Sequence, residues 1–122
     1  MINEHKKVLI VGIKGVAMAH IAVILKKMGY DVEGADVDEK FITDDMLNKH
    51  GVTVHTHFDL EVTPDNVSHV IYSAAHGGTE NVIVKKANEN GVKVLHQSEF
   101  LGELLKEFKT VVAVCEIGRA HV

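Results

Sequence analysis

K-V-L-I-V-G-I-K-G-V-A-M-A-H-I-A, from Lys7 to Ala22, is a short apolar run that breaks into a glycine-bearing turn and resumes with helical spacing. Val8-Leu9-Ile10-Val11 lacks the alternation of a half-exposed strand and predicts a strand buried on both faces. Met18, Ile21, Ala22, Leu25 and Met28 recur at three- and four-residue spacing, which gives one core-facing helical stripe. Strand, tight turn and helix in this order leave the first N–H groups of the helix unpaired and pointing at one spot. The partial positive charge there suits an anion, usually a phosphate. The turn from Gly12 to Met18 is therefore the first candidate site.

Strand-length apolar runs and helix-period segments alternate through the rest of the chain. Lys26 and Lys27 suit the last turn of the first helix, and Gly29 suits the left-handed position after it. A second strand is expected over Asp31–Asp36, then a short helix capped by Thr43, with Asp44 and Asp45 in its first turn, ending at His50-Gly51. Val52–His55 predicts a strand, Thr63–Asn66 a turn, His69–Ser73 a strand and Ala74–Gly78 a loop. Thr79 is expected to cap a helix through Asn90 that Gly91 closes, followed by a strand over Val92–Leu95. Ser98 is the expected cap of a last helix carrying Leu101, Leu104, Leu105 and Phe108 on one face, and Thr110–Cys115 reads as one more buried strand. Strands separated by helices imply right-handed crossovers and an α/β, Rossmann-like doubly wound fold, its mainly parallel sheet covered by helices on both faces. Such sheets bind ligands at the carboxyl ends of their strands.

Composition narrows the function classes. At 122 residues the chain is one domain long, and 46% hydrophobic with 25% charged residues is the balance of an ordinary globular protein. A formal net charge of −4 argues against a nucleic-acid footprint, which needs a basic stripe. No apolar run approaches the ~20 residues that span a bilayer, so no membrane partner is expected. No signal peptide is expected, because Asn3-Glu4-His5 is polar and Val8–Val11 is too short for a hydrophobic region. A single cysteine, Cys115, excludes an internal disulfide and fits a cytoplasmic location. The nine histidines suggest metal, but His55 and His57 have no Cys, Asp or Glu at ligand spacing, so no metal site is expected. His5, His50, His69 and His96 read as surface or packing residues, and Cys115 as a small hydrophobe.

Three segments should meet at the carboxyl edge: Gly12–Met18, Asp36 and the loop Ser73–Gly78. Asp36, at a strand end, is placed to accept hydrogen bonds from a sugar hydroxyl or a base. The small residues of S-A-A-H-G-G let backbone amides approach a ligand, with Ser73 and His76 as side-chain donors. The dinucleotide fingerprint G-x-G-x-x-G fits poorly, since Lys14 and Ala17 take its second and third glycine places. A lysine at position 14 could pair with phosphate or crowd its approach, or simply lie on the surface.

These residues resemble a family. G-I-K-G-V-A-M-A-H-I-A is similar to the opening motif of the Mur ligases, the amide ligases that build the peptide of peptidoglycan, and most of all to their alanine-adding branch. Further matches follow in order: E-G-A-D ending at Asp36, Y-S-A-A-H at Tyr72–His76, and Q-S-E-F-L-G-E-L at Gln97–Leu104. Thr79-Glu80-Asn81 stands where the family has an asparagine–proline pair, with Val82 in place of the proline. Lys14 and Ala17 depart from the family's glycines.

The resemblance implies an N-terminal domain, residues 1–110, that binds the UDP part of UDP-N-acetylmuramate in an ATP-dependent ligase adding L-alanine. It implies substrate contacts from Gly12, Ile13, Lys14, Gly15, Val16, Ala17 and Met18, from Asp36, and from Ser73, Ala74, Ala75 and His76. No catalytic residue is implied here. ATP and magnesium belong to the full-length enzyme, with neither bound by this segment. Residues 111–122 are expected to open an ATP-binding domain and then depart from it: Glu116-Ile117-Gly118-Arg119-Ala120-His121-Val122 carries no phosphate-binding loop and reads as a truncated tail. The chain alone is expected to bind rather than ligate. A murein tripeptide-recycling ligase is the nearest alternative, and a non-catalytic NAD- or nucleotide-sensing module is the alternative from another class.

Overall fold

The computed structural model describes residues 7–59 and 66–107. Its elements run β1 (Lys7–Val11), α1 (Val16–Lys27), β2 (Asp31–Ala35), α2 (Asp44–Lys49), β3 (Thr53–His55), β4 (His69–Tyr72), a 3-10 turn (Ala75–Glu80), α3 (Val82–Glu89), β5 (Lys93–His96) and α4 (Gln97–Glu107). The strands form one parallel sheet in the order β3-β2-β1-β4-β5. β1 is central, with Val8 opposite Val32 on one side and His69 on the other. The chain winds from β1 outward through β2 to β3 and then returns to the other side of β1 with β4 and β5, and a crevice opens at that switch point.

Both faces of β1 are covered, as its unbroken apolar run requires. Val8 and Ile10 pack with Ala19, Ala22 and Leu25 of α1, Leu47 of α2, and Phe100 and Leu104 of α4. Leu9 and Val11 face the other way, against Val70 and against Ile83, Val84 and Ala87 of α3. Among the described residues, three helices on one face and one on the other make the expected three-layer arrangement.

Helix termini show where local signals competed. Thr79 is exposed inside the 3-10 turn and is not the cap of α3; Asn81 is, its side-chain oxygen accepting the Ile83 N–H at 2.9 Å. The reason lies upstream, where His76, Gly77 and Gly78 all take positive φ and delay the helix start past Thr79. Ser98 lies within α4; the Glu99 carboxylate holds the His96 N–H at 3.0 Å, and the Ser98 hydroxyl pairs with His96 Nδ1. Thr43 does precede α2, but its hydroxyl donates to the Lys14 carbonyl (2.7 Å) and makes no cap bond. Residues 63–65 of the expected turn, Phe108, the strand expected at Thr110–Cys115 and the tail from Glu116 lie outside the described residues, as does the Leu105 side chain.

Candidate functional site: a cleft at the carboxyl edge of the sheet

The turn after β1 consumes its first amides internally. Gly12 N–H donates to the Ala35 carbonyl (2.8 Å), Lys14 N–H to Asp36 Oδ2 (2.8 Å), and Gly15 N–H to the Gly12 carbonyl (3.1 Å). The helical ladder begins with Ala19 N–H on the Gly15 carbonyl at 2.8 Å. Between them, the amides of Val16, Ala17 and Met18 have no acceptor among the described residues, and Gly15 at the N-cap has no side chain to supply one. The first turn of α1 carries no acidic residue. Three amides and the positive end of a twelve-residue helix are thus left for an anion.

Two glycines shape this turn. Gly12 has φ +83°, a left-handed conformation that other residues adopt at a cost. Gly34, on β2, allows Ile13 to lie against the strand: a Cβ at position 34 would come within 2.3–2.6 Å of three Ile13 side-chain atoms. Ile13 is therefore an anchor beneath the turn, fully buried in the core.

The cleft above has a volume of about 300 Å³. The first segment contributes Gly12, Gly15, Val16, Ala17 and Met18; the second contributes Asp36 and Phe41; Ser73, Ala75, His76 and Gln97 close the other side. Sequence reasoning placed all but two of these at the edge. Gln97 was missed although it lies in a quoted motif and directly follows β5, so the strand-end rule could have found it. Phe41 was missed because nothing in its sequence neighbourhood fixes the path of the chain after Asp36. Ile13, Lys14 and Ala74 do not line the cleft.

Asp36 is 1% exposed, and it organises the floor. Oδ2 accepts from Lys14 N–H, Oδ1 accepts from Val37 N–H (2.7 Å), and His76 Nε2 lies 3.2 Å from Oδ1. His76 crosses over the glycine turn, with its ring 4.9 Å from that of Phe58. Its φ of +56° makes it the one described non-glycine residue with positive φ. Backbone strain of this kind persists where surrounding contacts hold it, here the Asp36 pairing and the Asn81 side-chain amide donating to the His76 carbonyl at 3.0 Å. Ser73 accepts the Ala75 N–H at 3.3 Å, a bond within its own loop.

The remaining candidates lie elsewhere. Lys14 is 6% exposed, its ammonium directed to the Glu39 carbonyl and to Asp44 rather than into the cleft. His55 pairs with Glu33 at 2.8 Å, and Glu33 also pairs with Lys7. Burial alone would raise the Glu33 carboxyl, but hydrogen bonds from His55 and Lys7 and their charges outweigh it and hold it below the ordinary carboxylate range. The Glu33 hydrogen bond raises the Lys7 ammonium in turn. His57 lies 3.4 Å from Asp59. Among the described residues no group of three or more His, Cys, Asp or Glu is arranged to hold a metal ion, and no helix is long and apolar enough to cross a membrane.

Comparison with known proteins places this architecture. The family model described as "Mur ligase family, catalytic domain" matches residues 7–109. The chain is 40% identical over 109 residues to the UDP-N-acetylmuramate–L-alanine ligase of Caldicellulosiruptor saccharolyticus, covering 88% of this chain and 23% of that protein. It is 34% identical over 109 residues to the enzyme of the same name from Streptococcus mutans, covering 89% of this chain and 24% of that one. The crystal structure of UDP-N-acetylmuramate-alanine ligase from Thermotoga maritima superposes with a TM-score of 0.77 at 25% identity, over 86% of this chain and 24% of that one. The chain spans about a quarter of the length of the relatives it matches. With a family model that spans all of its described residues, the chain belongs to the Mur ligase family.

Proposed function

We propose that residues 1–110 are the N-terminal, UDP-N-acetylmuramate-binding domain of a cytoplasmic, ATP-dependent ligase that adds L-alanine to that sugar. The observation that carries the reading is the set of amides at Val16, Ala17 and Met18, without an acceptor among the described residues, on the wall of a cleft of about 300 Å³. In this reading those amides hold the diphosphate, with Gly12 and Gly15 allowing its approach. Phe41 and Asp36 border the uridine end, and Ser73, Ala75 and His76 border the diphosphate from the opposite side. Ile13 and Lys14 act from beneath the turn, and Ala74 through its place in the loop.

The names of the matched relatives favour alanine addition over tripeptide recycling. The NAD-sensing alternative needs a carboxylate open to the adenosine ribose, whereas Asp36 is buried and engaged by the Lys14 and Val37 amides.

ATP and magnesium find no fit in these residues. The sequence contains no Gly-Lys-Ser/Thr element, and no described acidic cluster is arranged for a metal. Phosphorylation of the muramate carboxylate and attack by the alanine amine are therefore assigned to other parts of a longer ligase, including the domain read as beginning at residue 111. This chain's part is to bind and orient the sugar nucleotide. Isothermal titration with UDP, UDP-N-acetylmuramate and NAD tests the reading. Binding of the uridine compounds without NAD binding is expected; NAD binding without either uridine compound would refute it.

A further inference from the structure

Lys14 is tied through three separate groups to the segment that follows β2. Its N–H donates to Asp36 Oδ2 (2.8 Å), its carbonyl accepts the Thr43 hydroxyl (2.7 Å), and its ammonium donates to the Glu39 carbonyl (2.5 Å). The ammonium also lies 3.4 Å from Asp44 Oδ1 and 5.6 Å from the centre of the Phe41 ring, within cation–π range. A lysine this deeply buried must be matched where it lies, because removing a charge from water is costly unless it is paired. The match is mutual. Asp44 Oδ1 is buried without a hydrogen-bond partner, so the Lys14 ammonium is its compensating charge among the described residues.

The backbone does not dictate this arrangement. Position 14 has no positive φ, so a glycine there would be as compatible with the turn as the lysine is. What the lysine side chain adds is a link from the glycine turn to the loop bearing Phe41, a residue that lines the same cleft as Val16, Ala17 and Met18. Apart from it, Lys14 and that segment are joined by the Asp36 and Thr43 bonds, both to backbone atoms of Lys14.

We infer that Lys14 is a positioning residue: its buried ammonium locks residues 37–43 against the glycine turn and so fixes the Phe41 ring as a wall for the flat base of a bound nucleotide. The nucleotide part rests on the uridine-sugar reading above; the lock itself does not. Without the ammonium, Asp44 loses its counter-charge, the segment opens more often, and Phe41 must be ordered by the ligand at the moment of binding. With it, that ordering is complete beforehand.

The test uses the 122-residue chain with Lys14→Met, Asp44→Asn and Phe41→Ala, and Lys27→Met as an exposed-lysine control. Hydrogen exchange without ligand is expected to quicken about tenfold in residues 37–44 of Lys14→Met and Asp44→Asn, with α3 unaffected. Unchanged exchange in that segment would overturn the lock. UDP-N-acetylmuramate affinity is expected to fall about tenfold in Lys14→Met and in Phe41→Ala, but scarcely further when the two are combined, since both act through one ring. Losses that multiply would overturn the positioning role. If Lys14→Met does not fold, Asp44→Asn alone and combined with Phe41→Ala carries both measurements. A wild-type chain that binds no uridine compound would refute the proposed function and leave the exchange measurement to decide the lock.

Discussion

Gly34→Ala tests how the binding turn is seated. The new Cβ would lie 2.3 Å from Ile13 Cδ1 and 2.6 Å from both Ile13 Cβ and Cγ2. Carbon atoms rest at about 3.5–4.0 Å, so Ile13 must retreat by about 1 Å or more. It is fully buried in the core cluster that holds Val8, Ile10 and Met18, so its retreat must push into those packed neighbours. Retreat also drags the backbone, because Gly12 and Ile13 donate to the Ala35 carbonyl and Lys14 donates to Asp36. Overpacking costs about 1–3 kcal/mol, and weakening one of these hydrogen bonds adds about 1 kcal/mol. A destabilisation of about 2–4 kcal/mol is expected, which lowers Tm by about 10 °C or more in a domain of this size.

Thermal unfolding with and without UDP is the assay, combined with Ile13→Ala in a double-mutant cycle. Ile13→Ala alone should cost about 2–5 kcal/mol through its cavity. The pair should cost clearly less than the sum, since each change relieves the other. A neutral Gly34→Ala, or two losses that simply add, would refute the seating of Ile13 on β2.

Four further outcomes are expected. Asn81→Ala should cost about 1 kcal/mol by guanidinium titration, while Thr79→Ala should be near neutral, because only the asparagine caps α3. Val82→Pro should stabilise by about 0.5–1 kcal/mol in the same assay: position 82 opens the helix, and Asn81 already has the ψ of 136° that a following proline favours. Gly15→Asp should abolish uridine-nucleotide binding in calorimetry while leaving Tm level or slightly higher, since a carboxylate at the N-cap both repels phosphate and caps α1. Glu33 has a lowered pKa, so its contribution is complete above its ordinary value of 4.5 and is lost as pH falls through the folded value. Lys7 is raised, so its share is complete below 10.5 and is lost as pH rises through its folded value. Urea titrations from neutral to acid pH should show a shallower acid loss in Glu33→Gln.

The sheet was legible because the relevant signals are local. An unbroken apolar run marked the central strand, three- and four-residue spacing marked α1, and turn glycines marked the helix ends. The cleft was largely legible for a related reason: in a parallel sheet the strand ends converge, so residues at those ends could be named before their contacts were known. What remained hidden depends on where one segment meets another. Gly34 stood in a quoted motif, yet its need for a missing side chain comes from Ile13, a residue of the preceding turn. Lys14 had several possible directions, and the choice among them is made by Glu39 and Asp44 across the β2–α2 segment. The start of α3 turned on the positive φ of His76–Gly78, which the two glycines before Thr79 permit but do not require. Asp36 was placed at the right edge, but its engagement by the Lys14 and Val37 amides required the turn's full geometry.

The central claim is that the amides of Val16, Ala17 and Met18 hold the diphosphate of a uridine nucleotide. Amide-resolved NMR of the chain titrated with UDP measures those three groups directly. The account predicts large downfield proton shifts at all three, with the internally bonded amides of Gly12, Lys14 and Gly15 moving much less. Saturable UDP binding that leaves Val16–Met18 unshifted, or shifts centred on another part of the sheet edge, would contradict it.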